Sequence, residues 1–104
     1  MRIAVTYQNG AVLHEFDKTV EFKIYDVNKE KVVATMLESI CGYGQGVLVG
    51  FLQDQCVSTL ICGKIGRDAR AALTIAGISI YSNVEGNADS AVEDLLAGCL
   101  HPCK

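Results

Sequence analysis

The chain has 104 residues, half of them hydrophobic, with nine Lys and Arg against twelve Asp and Glu, a formal net charge of −3. That length fits one domain of about 100–150 residues, and the apolar fraction excludes a disordered chain. The slight acidity argues against nucleic-acid binding, which needs a basic face. No run approaches the roughly 18 apolar residues of a membrane span. Met1 to Val5 enter a strand pattern with no export leader before them, so a cytoplasmic protein is expected. In that reducing compartment, five cysteines point to metal or redox chemistry more than to disulfides.

Residues 2–7 (RIAVTY) are short, apolar and β-branched, the pattern of a buried strand. Asn9-Gly10 is a turn signal, and residues 11–18 read as a short strand or a loop. Residues 20–27 (VEFKIYDV) alternate, with Val20, Phe22 and Ile24 on one side and Glu21, Lys23, Tyr25 and Val27 on the other. That spacing predicts a half-exposed strand. A polar turn over residues 28–30 leads into a third strand over 31–37. Residues 43–54 place Val47, Leu48, Phe51 and Leu52 at helical spacing. Their three glycines each cost a helix about 1 kcal/mol against alanine. A strand over 57–62, a helix over 67–76 stopped by Gly77, and a strand over 78–81 follow. The last helix covers 87–97, capped by Asn87 and stopped by Gly98. Strands alternating with helices imply right-handed crossovers and a parallel half-sheet. The expected architecture is α/β: a ribonuclease-H-like mixed sheet whose first strand is central, flanked by the antiparallel meander and the parallel strands. One domain over 1–104 is expected, with 99–104 as a tail.

Two glycine-rich turns could carry chemistry. Cys62-Gly63-Lys64-Ile65-Gly66-Arg67 joins a strand to a helix, where backbone N–H groups and cations can meet an anion. It is neither a P-loop nor a dinucleotide fingerprint, and a plain strand–helix turn has the same composition. Cys41-Gly42-Tyr43-Gly44 precedes the first helix, whose N-terminus lowers a thiol's pKa and favours the metal-binding thiolate. His14 supplies an imidazole on a loop. Cys99, His101 and Cys103 form an incomplete ligand set, since a structural zinc site wants four ligands. The first strand lacks the carboxylates of a magnesium nuclease. No G-x-S-x-G or H-E-x-x-H occurs, and no C-x-x-C supports a thiol redox protein. A hydrolase is therefore not expected.

Several stretches line up with a known family. Val20 to Val27 resembles its F-x-I-Y-D-V strand, and Leu60 to Ala69 its G-x-I-G-x-x-A turn. Ala76 to Tyr81 resembles A-G-I-x-V-Y, and Glu85 to Leu100 the family's closing segment. The chain thereby resembles the dinitrogenase iron–molybdenum cofactor biosynthesis family, the NifX-like proteins and the C-terminal part of NifB-type proteins. The resemblance implies a ribonuclease-H-like fold and a carrier or chaperone of an iron–sulfur or iron–molybdenum–sulfur cluster. Some relatives hold another molybdenum–sulfur cluster, and nitrogen fixation itself need not be involved. It implies donor and acceptor proteins as partners and no catalytic turnover, so a non-enzymatic protein is expected; charge and hydropathy add no nucleic acid and no membrane, and a monomer or weak dimer is expected. The metal ligands expected are His14, Cys41 and Cys62, with Gly42, Gly63, Lys64, Gly66 and Arg67 around the cofactor. Glu15 and Asp17 interrupt the family's H-F-G loop, where His14 and Phe16 keep the residue types. The alternative is an anion- or nucleotide-binding regulatory or protein-interaction module on Gly63 to Arg67.

Overall fold

The structure, a computed structural model, describes residues 1–40 and 45–98. Its strands are β1 (Arg2–Gln8), β2 (Ala11–Val12), β3 (Glu21–Asn28), β4 (Lys31–Ser39), β5 (Thr59–Ile61) and β6 (Ser79–Tyr81). The helices are α1 (Gln45–Asp54), α2 (Arg67–Ile75) and α3 (Ala88–Leu96), with a short 3-10 turn at Phe16–Lys18. The six strands form one mixed sheet in the order β4-β3-β1-β5-β6, with β2 pairing on β1. β1 is therefore central, as its apolar run implies. It is antiparallel to β3 and parallel to β5, and β5 is parallel to β6. No helix among the described residues is long and apolar enough to cross a membrane.

Alternation along the strands builds two cores. Ala4, Phe22, Ile24, Leu60 and Ile80 face α1 and α2. Ile3, Val5, Tyr25, Val27 and Ile61 face α3. β3 departs from the half-exposed strand expected, because α3 covers its second face and buries Tyr25 and Val27. Val20, expected on the inner side, is exposed at the strand's start. The expected helix over 43–54 is described from Gln45, and it buries Leu48, Val49 and Leu52 while Val47 stays exposed. Among the described residues a Cβ at Gly46 or Gly50 would meet nothing within 4 Å, so their packing does not require glycine at either position. Asn87 caps α3 as expected, its side chain accepting from the Ser90 N–H at 3.0 Å.

The two hairpins solve one geometric problem differently. β1 and β2 turn through Asn9-Gly10, both at positive φ, residues that reach this region cheaply. β3 and β4 turn through Lys29 (φ 53°) and Glu30 (φ 64°), ordinary L-residues in the left-handed region. Replacing them with Asn and Gly removes that strain. The double variant Lys29→Asn/Glu30→Gly is expected to gain about 1 kcal/mol, seen by calorimetry as a rise of roughly 4–8 °C in Tm. An unchanged or lower Tm would show the turn to be unstrained.

Candidate functional site

β1, β4, β5 and β6 all run the same way, since β4 is antiparallel to β3 and β3 to β1. Their C-terminal ends share one edge of the sheet, the usual side for ligands in open α/β folds. The loop after β2 is folded down onto this edge. Leu13 N–H donates to the Thr6 carbonyl at 2.8 Å, and the Thr6 hydroxyl donates to the Leu13 carbonyl at 3.2 Å. Lys64 N–H donates to the His14 carbonyl at 2.5 Å, and Phe16 N–H to the Lys64 carbonyl at 2.9 Å. On the far side, Asn83 N–H donates to the Gly63 carbonyl at 2.8 Å, and Val12 N–H to the Gly86 carbonyl at 2.8 Å. Three loops are thus tied into one surface by their backbones.

Gly63 is required for this contact: a Cβ there would overlap the backbone carbonyl of His14. The Phe16 ring anchors the loop from below. It is fully buried, 6.4 Å from the Phe22 ring, which in turn stacks on Phe51 at 5.7 Å. Burying such a ring is worth about 1.5–3 kcal/mol. The neighbouring Glu15–Lys18 ion pair, 3.5 Å long and exposed, adds at most about 1 kcal/mol. The ring, not the ion pair, holds the loop.

The expected site residues divide accordingly. His14, Gly63, Lys64, Gly66 and Arg67 come together at the edge. The His14, Lys64 and Arg67 side chains are exposed there. Gly66 is the N-cap of α2 and offers no side-chain cap, leaving that helix's first N–H groups open to a ligand. Cys62 is fully buried in the core beneath the turn, on the same face as Leu60, because β5's alternation carries through it. Cys41, Gly42, Cys99, His101 and Cys103 lie outside the described residues. Among the described residues no three His, Cys, Asp or Glu side chains gather as a metal site. A hollow of about 260 Å³ opens at this edge, lined by Glu15, Phe16, Asp17, Lys64 and Gly66. Its two carboxylates offset the positive charge of Lys64 and Arg67.

A second polar cluster, not foreseen from the pattern, lies on the α3 face. Asp89 Oδ1 accepts from Lys23 Nζ at 2.7 Å and from the Tyr25 hydroxyl at 2.5 Å. Lys23 Nζ also sits 5.7 Å and 5.2 Å from the centres of the Tyr7 and Tyr25 rings. Burial, then the bond to Asp89, pushes the Tyr25 hydroxyl's pKa up. The Lys23 and Tyr25 hydrogen bonds hold the Asp89 carboxyl below its ordinary value. The signal available in sequence was the apolar pair Tyr25 and Val27 on the strand face expected to meet solvent.

The family profile described as dinitrogenase iron-molybdenum cofactor matches residues 1–98. The chain belongs to this family, which is associated with biosynthesis of the iron–molybdenum cofactor. Among solved structures it is similar to PH0822, with 23% identity and a TM-score of 0.91 over 98% of this chain and 94% of that one. It is similar to the apo orange protein of Desulfovibrio gigas, with 26% identity and a TM-score of 0.84 over 99% and 96%. It is also similar to TM1290 of Thermotoga, a candidate NifB protein, with 24% identity and a TM-score of 0.76 over 97% and 91%. No curated protein sequence matches the chain.

Two predictions follow from these contacts. Gly63→Ala forces the His14 loop off the turn and is expected to cost about 2–4 kcal/mol in denaturant unfolding; a loss below about 0.5 kcal/mol would mean the loop gives way freely. Asp89→Asn weakens the bonds to Lys23 and Tyr25. Because the folded pKa of Asp89 is lowered, its contribution is full above the unfolded carboxylate value of about 3.9 and fades as pH falls through the lowered folded value. The stability gap between wild type and Asp89→Asn is therefore expected to be widest near neutrality and to close in acid. A gap independent of pH would assign the effect to packing alone.

Proposed function

We propose that this chain is a small non-catalytic carrier. It binds an iron–sulfur or iron–molybdenum–sulfur cluster, or a precursor, and passes it between donor and acceptor proteins in the cytoplasm. Family membership supports the class of cargo. The observation that carries the reading is the backbone clamp fixing His14 beside the Gly63–Gly66 turn at the sheet edge where β4 also ends. Such an edge suits a bulky, soft, often anionic cluster: an imidazole gives a labile bond, the open N–H groups of α2 favour anionic sulfide, and glycines leave room. We assign Cys41 as the thiolate ligand, five residues before the second residue of α1. Cys62 supports the turn from below. The same strand order, with β1 between the meander and the parallel pair, supports a ribonuclease-H-like arrangement.

The uncapped start of α2 favours one second reading, a small anion- or nucleotide-binding module. Glu15 and Asp17 in the same hollow count against it. The test is reconstitution without oxygen, using an iron–sulfide or thiomolybdate source, followed by metal and sulfide analysis and a visible spectrum. Wild type is expected to take up metal in stoichiometric amount with thiolate-to-metal charge-transfer bands. His14→Ala and Cys41→Ser are expected to lose most of that uptake, and Cys62→Ala to keep it. A colourless wild-type protein overturns the carrier reading, and amide shifts near Gly66 on adding nucleotide would then favour the second.

A further inference from the structure

We propose that β4 pairs with β4 of a second copy of this chain, antiparallel about a two-fold axis at Thr35, so that one sheet runs through both subunits. β4 ends the sheet, and its outer row of N–H and C=O groups faces away from β3. Edges of this kind are ordinarily shielded by proline, by inward charges or by being short. β4 is nine residues long and has no proline, and its two charges, Lys31 and Glu38, stand near its ends. It carries three of the exposed large apolar side chains, Val32 (40%), Val33 (63%) and Leu37 (53%). The opposite edge, β6, has only three residues.

A second copy is the occupant because the strand is complementary to itself. The register against β3 skips Val33, a bulge: Asp26 faces Ala34 and Val27 faces Val32. Val32, Thr35 and Leu37 therefore lie on the α3 face, opposite Val27, Tyr25 and Lys23, while Ala34, Met36 and Glu38 lie on the other with Lys31. With the bulge kept, pairing about Thr35 sets Ala34 against Met36, Val32 against Leu37 on the α3 face, and Lys31 against Glu38 on the other face. The two-fold axis makes each of these contacts twice. Opposite charges and matched apolar residues directly across a strand pair are favourable, and like charges are not. Pairing about Ala34 instead sets Lys31 against Met36, and pairing about Met36 sets it against Ile40, so only the Thr35 axis joins the charges. Both long edges are consumed in the pair, which closes the assembly at two subunits rather than a fibre.

Sedimentation equilibrium on the full chain tests this, over roughly 1 µM to 1 mM. A monomer–dimer equilibrium is expected. Lys31→Glu or Glu38→Lys sets like charges face to face and is expected to raise the dissociation constant about ten-fold, while the double variant Lys31→Glu/Glu38→Lys restores it. Leu37→Lys, at an exposed position, is expected to give monomer. Circular dichroism checks that each variant stays folded. Three results overturn the proposal: a wild-type monomer at every concentration, a dimer that neither single reversal weakens, or a double variant that fails to recover. A monomer throughout would turn attention to an extended peptide of another protein as the occupant. The outcome is independent of whether the chain takes up a cluster.

Discussion

Strand β1 sets the terms for the rest of the molecule. It is bonded on both edges and buried on both faces, with Ile3 to Thr6 wholly inaccessible. Its neighbours run in opposite senses, β3 antiparallel and β5 parallel, so the chain returns to β3 through the β2 segment and its loop, reverses again at the β3–β4 hairpin, and reaches β5 and β6 by helical crossovers. That mixture makes β4, β1, β5 and β6 end together. The edge where the loops gather follows from pairing direction rather than from any residue in the loops.

At that edge the backbone, more than the side chains, does the assembling. The loop from Leu13 to Phe16 is held by the N–H and C=O of Lys64 and by the C=O and side-chain hydroxyl of Thr6, with one aromatic ring driven into the core. Among the described residues the exposed side chains of His14, Lys64 and Arg67 take no part in this backbone network. The carrier proposed above would rely on this separation, since the frame holds whether or not the surface groups are engaged. It also explains how Glu15 is accommodated. Its side chain pairs with Lys18 at the surface, and the backbone bonds of His14 and Phe16 on either side of it are kept.

Local chemistry was legible where neighbours in sequence decide the outcome. Asn9-Gly10 announced its hairpin, Asn87 its cap, and the apolar run from Ile3 to Val5 its central place. Long-range contacts were not legible. The pattern put Tyr25 and Val27 on the exposed side of β3, since nothing near them reveals that α3, some sixty residues on, covers that face. Gly63 was marked as a turn glycine, and its real constraint, the carbonyl of His14 pressed against it, spans 49 positions (63 minus 14). The place of Cys62 beside that turn suggests a ligand. The two-residue period shared with Leu60 was the better guide to its burial.

The glycines of α1 bear on how the molecule opens. Among the described residues neither Gly46 nor Gly50 has a neighbour that a methyl group would strike, so each gives up about 1 kcal/mol of helix propensity without a packing return there. The helix stands because Leu48, Val49 and Leu52 are gripped by the sheet. A segment held by tertiary contact alone sits low in the hierarchy of local opening, well beneath the strands it covers. Its amides are therefore expected to exchange with solvent ahead of those of the central strands it covers, an order that hydrogen exchange reads directly. Opening there would expose one wall of the first core without breaking any pairing of the central sheet.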